Sequence, residues 1–423
     1  MPFAAESQPD NLHPPLPSQM ADQFRPWQFI PDDILDLVVR RIPCEVDRLH
    51  AGRACRSWRL GLVNHKPPAP PLPLPWLLLP ETEADRDGPT FCCVLSGWRA
   101  HPFFLPHAAR SARYFGSYDG VWLFLAVDGQ GYRAHDHVLV NLHKFQFLDL
   151  PNVVRIDLRF PQVLMDIEIA IVAVTLSRQP TEQGCIAAGI IELEPFPGPA
   201  GVRVIAFWRM GDRVILPFYD DVCPEGVEDV IYHEGLFLFL TPDEDIRACG
   251  EPVFLEASVH VGSILFHVEP RGDDAGETVL ARYLFRSRGW VLMVVRLSSA
   301  LHYLPTSSFR VFEFVIHSSS TGVCVNTWNK LEKLDGRMLF VGRGCSRSYD
   351  AGDGYPGMEE GVYFLDDGSF HEPVFHHFPF PASAHAAYRC CDNGKWSEAS
   401  SQVERCFPER GPSKHSPPVW ILP

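Results

Sequence analysis

The stretch FIPDDILDLVVRRIPCEVDRLHAGRACRSWRLGLVN, from Phe29 to Asn64, predicts a small unit of three helices. Pro31 suits the first turn of a helix, where its missing N–H costs no hydrogen bond. Two aspartates follow it and Arg40 and Arg41 come at the other end, a distribution that matches the helix dipole. Pro43 is expected to end this first helix.

The first predicted helix carries more apolar surface than contact with one core requires. Its apolar side chains from Ile34 to Ile42 cover an arc of roughly 140°, and Leu37 widens it to about 200°, against the ~100° stripe of an ordinary surface helix. Two further helices, Glu45 to Ala51 and Arg53 to Asn64, are predicted to cover one side only. The unit is also shorter than the ~40 residues below which a domain usually needs outside help to fold. The pattern therefore indicates a docking element.

The same residues resemble the F-box pattern, in which a Leu-Pro start, an apolar helix and a Cys-Arg-x-Trp-Arg helix recur. The matched positions are Ile30-Pro31, Ile34-Leu35, Val38-Val39, Ile42-Pro43, Asp47-Arg48-Leu49 and Cys55-Arg56-Ser57-Trp58-Arg59. The resemblance implies that the unit binds a Skp-type adaptor and, through it, a cullin-based (SCF-type) ubiquitin ligase. The adaptor-binding residues that it implies are Ile30, Pro31, Ile34, Leu35, Val38, Val39, Ile42, Pro43, Leu49 and Trp58.

The sequence departs from the F-box pattern at Ala51-Gly52-Arg53-Ala54, where the family usually has bulkier residues. Gly52 is expected to loosen the junction between the second and third helices. The alternative interpretation is an ordinary three-helix cap on the domain that follows.

Charge and composition argue against several classes of function. With 37 basic and 52 acidic residues the net charge is −15, which argues against a general nucleic-acid-binding or anionic-membrane-binding protein. The longest apolar stretch, Ile169 to Leu176, is far shorter than the ~18 residues of a membrane span, and the opening residues do not read as a signal peptide. We expect a soluble protein of the cytoplasm, the nucleus or both, with its 12 cysteines reduced.

Composition shifts divide the chain. A Pro-rich run is expected to adopt polyproline II and to act as a semi-rigid spacer between a helical and a strand-rich part. The predicted segments are a disordered leader (1–28), the F-box (29–65), the Pro-rich linker (66–75), a β domain (76–396) and an irregular tail (397–423).

Short apolar runs separated by turn residues predict a large all-β domain after the linker, so the fold class is α+β multidomain. A length of about 320 residues exceeds a usual sandwich and favours a β-propeller. The predicted strands are Phe91 to Leu95, Val121 to Val127, His137 to Asn141, Met165 to Leu176, Ile186 to Leu193, Val202 to Trp208, Leu236 to Leu240, Ser263 to Val268, Val291 to Leu297, Phe309 to Ile316, Arg337 to Val341 and Gly361 to Leu365.

A repeated sequence pattern supports the prediction of a propeller. An acid-glycine turn precedes an apolar strand in YDGVWLF (118–124), HEGLFLF (233–239) and DGRMLFV (335–341). Their glycines, Gly120, Gly235 and Gly336, are 115 and 101 residues apart, or about two kelch-like blades of ~50 residues each. The same pattern is also common in ordinary hairpins.

Further segments resemble the plant KIB-type domain, which is similar to a kelch-like β-propeller and often follows an F-box in grasses. These segments are PWLLLP (75–80), FGSYDG (115–120), VNL (140–142), LPN (150–152), WNKL (328–331), YPG (355–357), VYFLDD (362–367) and DNGKW (392–396). The two resemblances together imply a receptor that carries a target protein to a ubiquitin ligase. The alternative is a non-catalytic propeller that binds proteins outside ubiquitination and keeps a vestigial F-box.

Catalytic and metal-binding motifs are not recognised in the sequence. Phosphate-binding loops, a nucleophile elbow and C-x-x-C pairs do not occur, and Gly342-Arg343-Gly344 reads as a tight turn after a strand. His371, His376 and His377 flank a proline that would break a metal-presenting helix, so we expect loop histidines and no metal.

Acidic pairs fall beside predicted turns, where carboxylates usually accept backbone N–H bonds. They are Asp220-Asp221, Asp243-Glu244-Asp245 and Asp366-Asp367. We therefore expect neither an enzyme nor a cofactor. A propeller hydrolase, a remote alternative, would need convergent carboxylates or a metal in the central channel.

Overall fold

The computed structural model divides the chain into two compact units, Met1–Pro71 and Leu72–Pro423. It describes residues 30–64, 73–82, 88–101, 105–128, 135–159, 162–193, 203–216, 226–270, 276–299, 305–318, 324–352, 355, 357–367, 387–408 and 411–423. The predicted leader, most of the Pro-rich linker, the three predicted loop histidines and Asp220-Asp221 lie outside these residues. None of the described helices is long and apolar enough to cross a membrane.

The described residues of the first unit form three helices, α1 (Asp32–Arg40), α2 (Glu45–Ala54) and α3 (Arg56–Asn64). The N–H of Leu35 donates to the carbonyl of Pro31 at 3.0 Å, so Pro31 opens α1 as predicted. Cys55 adopts an extended conformation between α2 and α3. The second helix is therefore longer, and the third begins later, than the sequence predicted.

Two glycines allow the helices of the first unit to approach one another. A Cβ atom on Gly61 would lie 2.1 Å from Cδ2 of Leu35, and one on Gly52 would lie 2.9 Å from Cδ1 of Leu62. Gly52 lies inside α2 and not at its predicted end, and its missing side chain leaves room for Leu62 of α3, while its loosening of the junction stays a prediction. The glycine at position 61 sets how closely α1 and α3 pack, because Leu35 is buried.

The second unit is a six-bladed β-propeller, each blade a sheet of four or five strands in the described residues. Blade 1 contains β1 (Trp76–Leu79), β2 (Thr90–Cys93), β3 (Arg99–His101) and β28 (Val419–Ile421). Blade 2 contains β4 (Arg113–Tyr118), β5 (Trp122–Asp128), β6 (His135–Asn141) and β7 (Gln146–Asp149). Blade 3 contains β8 (Val153–Arg159), β9 (Gln162–Leu176), β10 (Ile186–Leu193), β11 (Arg203–Arg209) and β12 (Val214–Ile215).

The remaining blades follow in chain order, and the short helix α4 (His107–Arg110) precedes blade 2. Blade 4 contains β13 (Asp229–His233), β14 (Leu236–Leu240), β15 (Ile246–Cys249) and β18 (Ser263–Phe266), with an inserted hairpin of β16 (Val253–Phe254) and β17 (Val259–His260). Blade 5 contains β19 (Thr278–Ser287), β20 (Trp290–Ser298), β21 (Ser308–Ser318) and β22 (Cys324–Lys330). Blade 6 contains β23 (Arg337–Phe340), β24 (Arg347–Asp350), β25 (Gly361–Phe364), β26 (Gly394–Ser397) and β27 (Gln402–Glu404).

The predicted strands all occur, although Val94 and Leu95 belong to a 3₁₀ turn. The repeated acid-glycine pattern is also confirmed as a blade repeat. Gly120, Gly235 and Gly336 precede β5, β14 and β23, which belong to blades 2, 4 and 6, so the interval is two blades. Each glycine has a positive φ, which explains why the turn needs this residue.

The last strand closes the ring, and here the prediction of an irregular tail is wrong. In blade 1, β28 pairs antiparallel with β1, with Trp76 opposite Ile421. The ring of Trp420 is fully buried and its Nε1–H donates to the carbonyl of Val341 at 2.9 Å. The hydroxyl of Ser117 in blade 2 donates to the Trp420 carbonyl at 2.6 Å. A strand of three residues thus joins blades 1, 2 and 6.

The innermost strands surround a central channel, and neighbouring ones contact each other from blade to blade. They are β28, β4, β9, β13, β19 and β24. The buried carboxylate of Asp229 on β13 accepts N–H bonds from Leu284 in blade 5 at 2.7 Å and from Gly344 in blade 6 at 2.7 Å. Burial raises the pKa of Asp229 to about 7, while these hydrogen bonds act in the opposite direction. The Gly342-Arg343-Gly344 turn therefore also connects blades, beyond its predicted role as a turn.

Candidate functional site

The helical unit exposes large apolar side chains on all three of its helices. Ile34 and Leu37 on α1 are 44% and 48% exposed, Leu49 on α2 is 56% exposed and Leu60 on α3 is 48% exposed. Single exposed apolar residues are ordinary, but four in a unit of about 35 residues form a large share of its apolar content. We call these four residues the apolar surface of the helical unit.

Helix α1 has two apolar sides with different environments. Leu35 and Val39 are buried, and Leu35 lies against Gly61 of α3. Ile34 and Leu37 project from another part of the helix surface, because residues one and two positions away from Leu35 turn by about 100° and 200° around the axis. The sequence predicted this division, since its apolar arc was too wide for one core.

The ten residues that the F-box resemblance implied fall into three environments. Pro31, Ile34 and Leu49 are exposed, and Leu35 and Val39 are buried. The intermediate positions are Ile30, Val38, Ile42, Pro43 and Trp58. The buried pair stabilises the unit itself, so only the other eight positions are accessible to a partner in whole or in part.

Two members of the apolar surface were not among those ten residues. Leu37 widened the predicted apolar arc, and its position on the helical wheel was the available indication. In α3, Trp58 and Leu62 are four positions apart and share one face, and Leu60 lies between them. The periodicity that predicted α3 therefore also placed Leu60 on another face. An apolar residue outside the main apolar stripe of a short helix was the sequence feature that could have identified Leu60.

Charged residues flank the exposed apolar positions of α1 in the sequence. Asp32 and Asp33 occupy the first turn of α1 and are exposed, and Arg40 forms an i, i+4 ion pair with Asp36 at 2.8 Å. An apolar centre with a charged rim is the usual anatomy of a protein interface. At the start of α3 the thiol of Cys55 lies 3.0 Å from the hydroxyl of Ser57, a hydrogen bond that lowers the pKa of Cys55.

On the propeller, a buried arginine holds the chain segments at one end of blades 5 and 6. The Nη1 of Arg296 donates to the Leu365 carbonyl at 2.9 Å and to Asp367 at 3.1 Å, and its Nη2 donates to Asp392 at 2.7 Å. Thr306 donates to the same Asp392 carboxylate from its hydroxyl at 2.7 Å. This network is well satisfied, and it holds the connecting segments in fixed positions.

The predicted acidic pairs in the described residues accept hydrogen bonds, as expected for carboxylates at turns. Asp366 accepts the N–H groups of Cys391 and Asp392 at 3.1 and 3.0 Å. Asp367 accepts from Tyr283 and Arg296. Asp245 accepts from the N–H of Val268 at 2.8 Å. These carboxylates are thus engaged in holding turns and blades.

The fold defines a class: the chain is a β-propeller protein with a helical unit before the propeller. A family profile described as KIB1-4 beta-propeller matches residues 94–388, well over half of the chain. The chain therefore belongs to the KIB1-4 β-propeller family, and the predicted KIB-type propeller is confirmed. A β-propeller of this kind supports a protein-binding role.

Other comparisons add little. No curated protein matches the sequence. Among solved structures, the chain is similar to one titled "Complex of KlAtg21 with coiled-coil of AgAtg16", at 7% identity, covering 66% of this chain and 82% of that chain with a TM-score of 0.32.

Proposed function

We propose that this protein is the substrate receptor of an SCF-type ubiquitin ligase, in which the helical unit is an F-box. The observation that carries the proposal is the exposure of Ile34, Leu37, Leu49 and Leu60, which are large apolar residues on all three helices. Leaving these side chains in water forgoes stabilisation, because burying a side chain of this kind contributes about 1.5–3 kcal/mol relative to leaving it exposed. A Skp-type adaptor that covers them recovers this energy, and the F-box sequence pattern supports the choice of adaptor.

The propeller is the part that would bind the target. Its blades are fixed to each other by buried groups such as Asp229 and Arg296, so the connecting loops are presented on a rigid support. Function on such a scaffold lies in the loops. The receptor performs no bond chemistry itself, and it raises the concentration of the target near the ubiquitin-charged partner.

The first test is a binding experiment with the full chain and a Skp-type adaptor. The double variant Ile34→Asp, Leu37→Asp places two charges on the apolar surface, and both sites are exposed, so the fold tolerates the change. We expect affinity for the adaptor to fall by at least about 30-fold, the equivalent of ~2 kcal/mol for the loss of an interface anchor. Affinity is measured by calorimetry or by co-purification from co-expressing cells.

The matched control is Ile264→Asp, which places a charge at an isoleucine of blade 4 that is also exposed. This variant should bind the adaptor as the wild type does, and thermal unfolding should show an intact propeller in both variants. Unchanged adaptor affinity in the Ile34, Leu37 double variant would contradict the assignment of this surface.

The second test separates the receptor from a propeller that acts outside ubiquitination with a vestigial F-box. Affinity purification of the full chain from plant cells with proteasome activity blocked should recover a cullin together with the adaptor and a target protein. Recovery of propeller partners without adaptor and cullin would favour the non-ubiquitin role. Purification from separated cytoplasmic and nuclear fractions tests the expected location in the cytoplasm, the nucleus or both.

A further inference from the structure

A cavity of about 80 Å³ opens at the end of the central channel where β4 and β28 begin. It is lined by parts of blades 1, 2, 3 and 6 together with Tyr388. About 10–15 Å³ of such a cavity holds one water molecule, so the volume suits several waters or one small polyatomic ion. The lining is unusual for its charge, since it contains Arg113, Arg203 and Arg343 but a single carboxylate, Asp367.

The guanidinium of Arg113 is the group of the cavity lining that is best suited to bind a ligand. Its side chain is 6% exposed, and Nη2 donates to the carbonyl of Ile171 at 2.7 Å. Nε is buried without a hydrogen-bond partner in the described residues. The cation lies 5.0 Å from the centre of the Phe115 ring, a favourable contact that does not neutralise the charge.

Burial of a cation without an anion is costly, and several kcal/mol per ion is the usual scale. Burial lowers the pKa of Arg113, while nearby Tyr388 and Glu192 act to raise it. Glu192, however, forms its ion pair with Arg203, at 3.3 Å. In the described part of the chain no carboxylate lies within ion-pair distance of Arg113.

The one carboxylate of the cavity lining is also engaged elsewhere. Asp367 accepts hydrogen bonds from Arg296 and from the hydroxyl of Tyr283, at 3.1 and 2.9 Å. Its backbone carbonyl accepts a bond from Nη1 of Arg343 at 3.0 Å. The lining therefore keeps a positive excess although the whole chain has a net charge of −15.

We propose that this cavity binds a small oxyanion, of the size and chemistry of phosphate, with Arg113 as its main ligand. A guanidinium has a planar fork of donors that matches two oxygens of phosphate or carboxylate, and Arg113 lines the cavity. The anion would supply the missing partner of Arg113 and would join blades 1, 2, 3 and 6 at the channel end. This inference does not depend on the ligase proposal.

The test uses the full chain with inorganic phosphate as the probe and urea unfolding as the readout. Phosphate should stabilise the wild type in a saturable way, and at 100 times its Kd the folding equilibrium should shift by about 100-fold, or ~2.7 kcal/mol. The variant Arg113→Gln should lose this response. In phosphate-free buffer it should be about as stable as the wild type, because the uncompensated buried charge is gone.

The matched control is Arg155→Gln, which removes an exposed arginine that pairs with Asp166 at 2.8 Å. This variant should keep the full response to phosphate. Sodium chloride at the same ionic strength should not reproduce the response in any variant. An equal phosphate response in Arg113→Gln, or an equal effect of sodium chloride on the wild type, would overturn the proposal.

Direct binding keeps the proposal testable if Arg113→Gln does not fold. Equilibrium dialysis of labelled orthophosphate should show saturable binding to the wild type, and Arg343→Gln should weaken it by about 10-fold or more, the scale of a charge-assisted hydrogen bond. No saturable binding to the wild type would overturn the proposal. Methyl phosphate distinguishes the sources: binding equal to that of orthophosphate indicates a site for phosphate esters, and exclusion indicates a site for the free ion.

Discussion

The helical unit and the propeller differ in how completely they bury their apolar side chains. The propeller buries large aromatic side chains completely, among them Trp208, Trp420, Phe207 and Phe340. The helical unit buries Leu35 and Val39 but exposes side chains of similar size on each of its helices. The difference shows that the propeller is stabilised by burying its own large side chains, whereas the helical unit leaves apolar area that a partner can cover.

The strongest way to break this comparison is to remove one aromatic ring from the propeller. Trp420→Ala empties a fully buried site that packs against Phe340 and Phe407 and loses the hydrogen bond to Val341. We expect the free energy of unfolding to fall by about 3–5 kcal/mol, the usual cost of a large-to-small change in a core. Urea unfolding followed by tryptophan fluorescence measures it.

Trp290→Ala is the matched control, because Trp290 is 53% exposed. It should change the free energy of unfolding by about 0.5 kcal/mol or less. Equal effects of the two substitutions would show that the closing strand does not hold the ring, and the contrast between the two regions would then disappear.

A second prediction concerns how the propeller responds to acid. Burial acts to raise the pKa of Asp392, but the charge of Arg296 and hydrogen bonds from Thr306 outweigh it and lower the pKa to about 2. An acid with a lowered folded-state pKa stabilises the protein above its unfolded pKa, near 4, and this contribution disappears as the pH falls towards 2. We expect Asp392→Asn to cost about 2 kcal/mol at neutral pH, and the difference from the wild type should shrink below pH ~4.

Urea unfolding of both proteins between pH 3 and pH 7 measures this difference. The control is Asp166→Asn, which breaks the more exposed pair with Arg155 and should cost less than about 1 kcal/mol at any pH. A gap between Asp392→Asn and the wild type that stays constant down to low pH would contradict the role assigned to the network.

The smallest expected effect tests the packing of the helical unit. Gly61→Ala would gain about 1 kcal/mol of helix propensity, but its Cβ would overlap Leu35 at 2.1 Å, and the overpacking costs about 1–3 kcal/mol. We expect a net loss, seen as faster hydrogen exchange in α1 and α3 of the full chain.

Gly52→Ala is the comparison for this variant, since its Cβ would meet only the end of the Leu62 side chain, at 2.9 Å, and that side chain can move. It should leave exchange in the helices nearly unchanged. Faster exchange in Gly52→Ala than in Gly61→Ala would mean that α2, not α1, limits how closely α3 packs.

Local pattern predicted much of this structure. The three helices, the predicted strands and the two-blade spacing of Gly120, Gly235 and Gly336 could be read because each depends on residues a few positions apart. The exposed positions Ile34 and Leu37 followed from the width of the apolar arc on α1. These features need no knowledge of the rest of the chain.

Features that join distant segments could not be predicted. The run from Val419 to Ile421 was too short to read as a strand, and its importance comes from pairing with Trp76 at the other end of the propeller. The partners of Arg296 lie in three separate segments. The environment of Arg113 depends on the distances between its guanidinium and the carboxylates of other segments, and the sequence alone does not give these distances.

The closing strand has a consequence for how the protein is made. During translation β1 leaves the ribosome well before its partner, and its inner edge stays unpaired until β28 emerges, more than 300 residues later. Until then blade 1 presents an open strand edge, which is a site for wrong pairing with other chains. We therefore expect the inner edge of β1 to be open to wrong pairing from its synthesis until β28 has emerged.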